Sequence, residues 1–157
     1  MTLMFPTRFS VIMLAAGGSA ALLATGLIFQ AIGYAPCDLC ILQRWPHVAA
    51  VLIGAIAILW RPSKALIVLG ALACTLTGAI GVYHTGVERR WWAGPQDCTA
   101  GSVGGVSTQD LMNQILSAPL VRCDVPAYEI LGISMATMNA VASFLLAAVW
   151  LWSLRRA

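Results

Sequence analysis

The stretch APCDLCILQRWPH, residues 35–47, is the starting point for predicting the fold because it separates two long apolar runs. It contains Cys37 and Cys40 in a Cys-x-x-Cys spacing, followed by Arg44. The flanking residues 9–37 and 45–60 carry no charged side chain, and neither do residues 65–87 and 130–154. Since about 20 apolar residues cross a bilayer core of about 30 Å, the four runs predict four membrane helices.

The composition supports a membrane protein. The chain has 157 residues, of which 60% are hydrophobic and only 10% are charged, whereas about 25% are charged in ordinary soluble domains. We therefore predict an all-α fold, a four-transmembrane-helix bundle that forms a single integral membrane domain over residues 1–157. The predicted spans are residues 10–32, 41–60, 65–83 and 132–154, with outer loops at residues 33–40 and 84–131.

Arginine and lysine positions indicate the orientation, because cytoplasmic loops are enriched in these residues. With both termini cytoplasmic, five cations lie inside and four outside, and all six acidic residues fall outside. The inner cations are Arg8, Arg61, Lys64, Arg155 and Arg156, and the outer ones are Arg44, Arg89, Arg90 and Arg122. The cations form no continuous basic stripe, so no nucleic-acid partner is predicted.

The long second outer loop is predicted to carry a short amphipathic surface helix, STQDLMNQILS, residues 107–117. Ser107 is a candidate N-cap with Asp110 three residues later. The apolar side chains share one face and are Leu111, Met112, Ile115 and Leu116. The helix can lie on the membrane surface or cover the end of the bundle, and the sequence leaves both open.

Four of the five cysteines lie in the two outer loops, with Cys98 and Cys123 in the second. In an oxidising compartment such cysteines are expected to form disulfides. Cys98 and Cys123 can form a structural disulfide or a redox pair. Cys74, within the third span, is interpreted as a small buried hydrophobe.

Redox exchange is the favoured use of the Cys-x-x-Cys pair. Haem attachment would require histidine at position 41, which is isoleucine, and zinc would require two further ligands at close spacing. Residues 46–60 would span only about 22 Å, so the second span must begin near Cys40 despite Pro46. Arg44 then lies on the same helix face as Cys40 and would stabilise a thiolate there. The negative charge of Asp38 would oppose thiolate formation.

The chain resembles the DsbB family over nearly its whole length. The resemblance rests on four spans, PCDLCILQRW between the first two, YHT at the end of the third, two separated loop cysteines, and LGISMATMN before the last span. It implies a bacterial inner-membrane enzyme that reoxidises a periplasmic thioredoxin-like protein of the DsbA type. The electrons would pass to membrane quinone, either ubiquinone or menaquinone, with no resident metal.

The resemblance also implies a role for individual residues. Cys98 would be attacked by the reduced partner, and Cys123 would then attack Cys37 and free Cys40 beside the quinone. Arg44 matches the family's quinone-contacting arginine, and His84 matches a histidine near the same pocket. The sequence leaves rival functions open: a metal-binding sensor or transporter in which the four outer thiols hold zinc or copper, a vitamin K epoxide reductase type enzyme, or a disulfide-bonded scaffold.

Overall fold

The computed structural model describes residues 7–95, 98–99, 107–117 and 121–156. Along the chain, the elements are α1 (Arg8–Ala31), α2 (Asp38–Leu59), α3 (Lys64–Glu88), α4 (Thr108–Ser117), β1 (Glu129–Ile130), β2 (Ile133–Ser134) and α5 (Met135–Ser153). Among the described residues, α1, α2, α3 and α5 are long and apolar enough to cross a membrane. The predicted all-α fold with four membrane helices is confirmed, and β1 and β2 add a small antiparallel hairpin.

Helix α2 begins at Asp38, three residues before the predicted start, and it continues through Pro46 to Leu59. Cys37 is its N-cap, and the Cys37 sulfur accepts a hydrogen bond from the backbone N–H of Cys40 at 3.3 Å. The prediction that Cys40 and Arg44 lie one helical turn apart is therefore correct. Pro46 removes one backbone donor but does not end the helix.

Helix α3 ends at Glu88 rather than at residue 83, so the predicted helix end was wrong and His84 is helical. The helix continues because its last turn is buried: His84 and Val87 are both almost fully covered. A polar residue at the end of an apolar run therefore did not mark the helix end.

The helices pack closely through small side chains, as is usual where lipid offers no hydrophobic driving force. The core cluster contains Ile12, Ile67 and Trp150 together with the alanines at positions 15, 16, 50, 57, 71 and 147. A Cβ atom on Gly70 would lie 2.5 Å from the Trp150 ring, and one on Gly54 would lie 2.3 Å from the Ala16 Cβ. Glycine is therefore required at both contacts.

The predicted surface helix is present as α4. Met112 and Leu116 are exposed, while the side chains of Asp110, Leu111 and Ile115 lie outside the described part of the structure. Whether α4 rests on the membrane or covers the bundle stays a prediction.

Candidate redox site

Cys37 and Cys40 stand at the start of α2 with their Sγ atoms 2.8 Å apart, and both are free thiols. Cys37 is buried and Cys40 is half-buried. The pKa of the Cys37 thiol is raised above its ordinary value, first by its side-chain hydrogen bond with Cys40 and then by burial. Cys37 therefore keeps its proton unless a neighbouring group stabilises the thiolate.

The second cysteine pair forms a disulfide between Cys98 and Cys123. Both residues are fully buried and pack in one cluster with Cys37, Leu39 and Val87. The structure thus brings together the four cysteines that were predicted to be catalytic. Cys74 belongs instead to the main core, where its Sγ lies 3.6 Å from the Ser19 hydroxyl.

His84 lies between the two cysteine pairs. Its side chain is buried, and its Nε2 is 3.5 Å from the Cys37 Sγ, while the backbone of Cys123 also interacts with the ring. One turn later, a Glu88 carboxylate oxygen lies 3.7 Å from the same Nε2, and the Ser134 hydroxyl donates a hydrogen bond to this carboxylate. His84 is therefore a direct neighbour of the thiols.

Arg44 joins α2 to α1. It donates hydrogen bonds to the Gln30 side-chain oxygen at 2.7 Å and to the Gly26 carbonyl at 3.3 Å. Its acceptors are neutral, and within the described ranges no acidic side chain forms an ion pair with it. Arg44 therefore keeps a net positive charge available at this end of the bundle.

A cavity of about 370 Å³ connects these groups between the helices. Cys40, Arg44, His84 and Glu88 line it, and most of the remaining wall is apolar. The apolar wall includes Leu22, Leu23, Phe29, Val125, Met135 and Met138. A mainly apolar cavity with a few convergent polar groups is typical of a small-molecule site.

Further polar residues that were not predicted as site residues also line this cavity, among them Gln43, His47, Glu88 and Asn139. All four lie in membrane-spanning helices. Polar side chains in such segments are rare and often functional, so the position of Gln43, His47 and Asn139 within predicted spans is the signal that could have identified them. Glu88 follows the third apolar run and carries no such signal.

A metal ion is a geometric alternative at the thiols. Single donor atoms of Cys37, Cys40 and His84 all lie within 4.8 Å of one another. The predicted four-thiol metal site differs from this arrangement, because Cys98 and Cys123 are bonded to each other. A metal at this position would therefore have two sulfur ligands and one nitrogen ligand.

Two cysteine pairs that meet at one end of a four-helix membrane bundle define the class of membrane oxidoreductases that act on disulfides. The sequence profile of one family, described as Disulfide bond formation protein DsbB, matches residues 8–153. The chain belongs to this family, which confirms the resemblance.

One relative is 30% identical to the chain over 116 residues. It is a protein of Rickettsia prowazekii (strain Madrid E) named "Uncharacterized protein RP370", and the match covers 72% of this chain and 67% of that protein. No solved structure matches the chain.

Proposed function

We propose that the protein reoxidises a periplasmic thioredoxin-like protein of the DsbA type and passes the electrons to membrane quinone, either ubiquinone or menaquinone. One observation carries the proposal: the two cysteine pairs meet at Cys37, and Cys40 beside it lines an apolar cavity between membrane helices. The proposed location is the bacterial inner membrane. The chain would be a single membrane domain with both termini cytoplasmic and the four cysteines periplasmic.

In the proposed relay, a thiolate of the reduced partner attacks Cys98 and forms a mixed disulfide, which releases Cys123 as a thiolate. The second partner thiol then displaces Cys98, so the partner leaves oxidised. Cys123 attacks Cys37 of a Cys37–Cys40 disulfide, which forms a Cys37–Cys123 disulfide and releases Cys40 as a thiolate. Cys98 then attacks Cys123, which restores the Cys98–Cys123 disulfide and releases Cys37 as a thiolate. Two electrons would pass from the Cys37–Cys40 dithiol to quinone as Cys37 attacks Cys40 and the Cys37–Cys40 disulfide forms again. Cys98 is fully buried in this structure, so the residues that cover its sulfur must move before the partner can attack.

The cavity residues fit a quinone. Arg44 lines the cavity. Because its own hydrogen-bond acceptors are neutral, its charge can stabilise a quinone carbonyl oxygen that gains negative charge. The apolar walls suit an aromatic ring and an isoprenoid tail. Bound quinone would supply a two-electron acceptor within the bilayer. The overall balance is partner dithiol plus quinone giving partner disulfide plus quinol, so the two thiol protons account for the two quinol hydroxyls.

The direct test is to incubate the purified full-length protein with quinone and a reduced thioredoxin-like partner and to follow quinone absorbance. We expect quinone loss that requires both the protein and the reduced partner. Metal analysis of the same sample tests the second candidate, a metal site at Cys37, Cys40 and His84. One equivalent of bound metal without quinone reduction would refute the proposed function.

Replacing Arg44 by alanine is expected to raise the KM for quinone by about tenfold or more, because a hydrogen bond to a charged group contributes about 1.5–3 kcal/mol. The measurement is the initial rate of quinone reduction at varied quinone concentration with saturating partner.

Arg61→Ala is the matched control, because Arg61 is an exposed arginine in the turn between α2 and α3. This variant should keep the wild-type KM. An unchanged KM in Arg44→Ala would remove Arg44 from the quinone site.

A further inference from the structure

A continuous line of hydrogen bonds runs from α3 through α2 to α5 and back to α2, and its two ends are histidines. His84 contacts Gln43, Gln43 contacts Asn139, and Asn139 contacts His47. His84 and His47 are each only 3% exposed. Because buried polar groups without a partner are costly, the direction of each bond in the line is constrained by the others.

The direction is set at the start of α2. The backbone carbonyl of Leu39 can only accept, and it lies 3.1 Å from the side-chain nitrogen of Gln43, which must donate. The same Gln43 nitrogen lies 2.9 Å from Nδ1 of His84. Its second hydrogen points to that ring nitrogen, so Nδ1 of a neutral His84 must be the acceptor and the ring proton must be on Nε2.

The other half of the line agrees with this direction. The side-chain oxygen of Gln43 accepts from the Asn139 nitrogen at 2.8 Å, and the Asn139 oxygen faces Nε2 of His47 at 3.0 Å. Thr77 adds an independent constraint. Its hydroxyl donates to the Gln43 backbone carbonyl at 2.9 Å and accepts from the Asn139 nitrogen at 3.4 Å.

Reversing the line would leave buried acceptors facing each other. If the Gln43 amide were turned over, its oxygen would face the Leu39 carbonyl and its nitrogen would face the Asn139 nitrogen. Turning Asn139 over as well would relieve only the second conflict. The unfavourable contact at Leu39 would remain, because a backbone carbonyl cannot donate.

We propose that Gln43 is a positioning residue that holds His84 with its proton on Nε2, so that the ring offers Cys37 a donor rather than a lone pair. Nε2 lies 3.5 Å from the Cys37 sulfur and 3.7 Å from the Glu88 carboxylate. A donor at this position stabilises a Cys37 thiolate, which must form whenever Cys37 acts as a nucleophile toward Cys40. The consequence for turnover rests on the proposed function, whereas the position of the proton does not.

The first test is ¹⁵N NMR of the imidazole nitrogens in the reduced full-length protein. The chain has only two histidines, so His47→Gln assigns the four nitrogen signals. We expect Nδ1 of neutral His84 to be unprotonated and Nε2 to be protonated. A proton on Nδ1 of neutral His84 would overturn the inference.

Gln43→Glu tests the cause. It places an acceptor where Gln43 donates, so Nδ1 of His84 should gain a proton and its ¹⁵N signal should move from the unprotonated to the protonated range. An Nδ1 signal that stays in the unprotonated range would show that Gln43 does not set the tautomer.

Turnover supplies the functional measurement. Gln43→Met keeps the side-chain length without the donor. We expect kcat to fall about tenfold, the typical effect of losing one hydrogen bond to a charged group, here the bond from His84 to the Cys37 thiolate. The control is Thr75→Val on α3, whose hydroxyl bonds the Ala71 carbonyl of its own helix; it should keep the wild-type kcat. An unchanged kcat in Gln43→Met would overturn the role of Gln43 in turnover.

If the wild-type protein does not reduce quinone, the proposed function fails, while the NMR result still decides the tautomer.

Discussion

Cys40→Ser is expected to abolish quinone reduction, with a loss of more than about a thousandfold, as is typical when the essential nucleophile of an enzyme is removed. In the proposed relay, Cys40 is the thiol that lines the cavity, and a serine hydroxyl can neither form a disulfide with Cys37 nor donate electrons. The measurement is quinone absorbance with a reduced thioredoxin-like partner in excess.

Cys74→Ala is the matched control for this substitution. Cys74 is also a free cysteine in a membrane helix, but it lies in the main core with Ala71 and Trp150. This variant should keep the wild-type rate, and circular dichroism should show unchanged helix content in both variants. Substantial quinone reduction by a folded Cys40→Ser protein would refute the assigned role of Cys40.

Cys98→Ser is expected to separate two kinds of electron donor. Turnover with a protein dithiol should fall by about a hundredfold or more, since the residue attacked by the partner is missing. A small dithiol can enter the cavity and reduce a Cys37–Cys40 disulfide directly, so turnover with dithiothreitol should persist. The measurement is the ratio of the two quinone reduction rates.

Cys123→Ser completes the comparison. It keeps Cys98 as a thiol but removes the cysteine that passes electrons to Cys37. This variant should lose turnover with the protein dithiol and keep turnover with dithiothreitol, as Cys98→Ser does. An equal loss with both donors in Cys98→Ser would contradict the proposed order of the relay, because it would place Cys98 in a step that both donors share.

The membrane fold was predictable because it depends on local composition. Each long apolar run must satisfy its backbone polar groups internally within the bilayer, which favours helices. The same reasoning placed Cys40 and Arg44 one turn apart, since a span starting at Pro46 would be too short. It failed for the end of α3, because burial of His84 and Val87 by other elements extends the helix to Glu88.

The four membrane helices, the spacing of Cys37, Cys40 and Arg44, and the family all followed from the order of residues along the chain. The contacts of Cys37 come from the tertiary structure: it packs with the Cys98–Cys123 disulfide and lies beside His84, which is 47 positions away along the chain. The family resemblance implied these neighbours but not their distances. The tertiary structure also decided the partners of Gln43, since Asn139 is 96 positions away. Helix formation follows from hydrophobicity along one segment, whereas these contacts depend on how side chains from different helices pack and satisfy one another's hydrogen bonds.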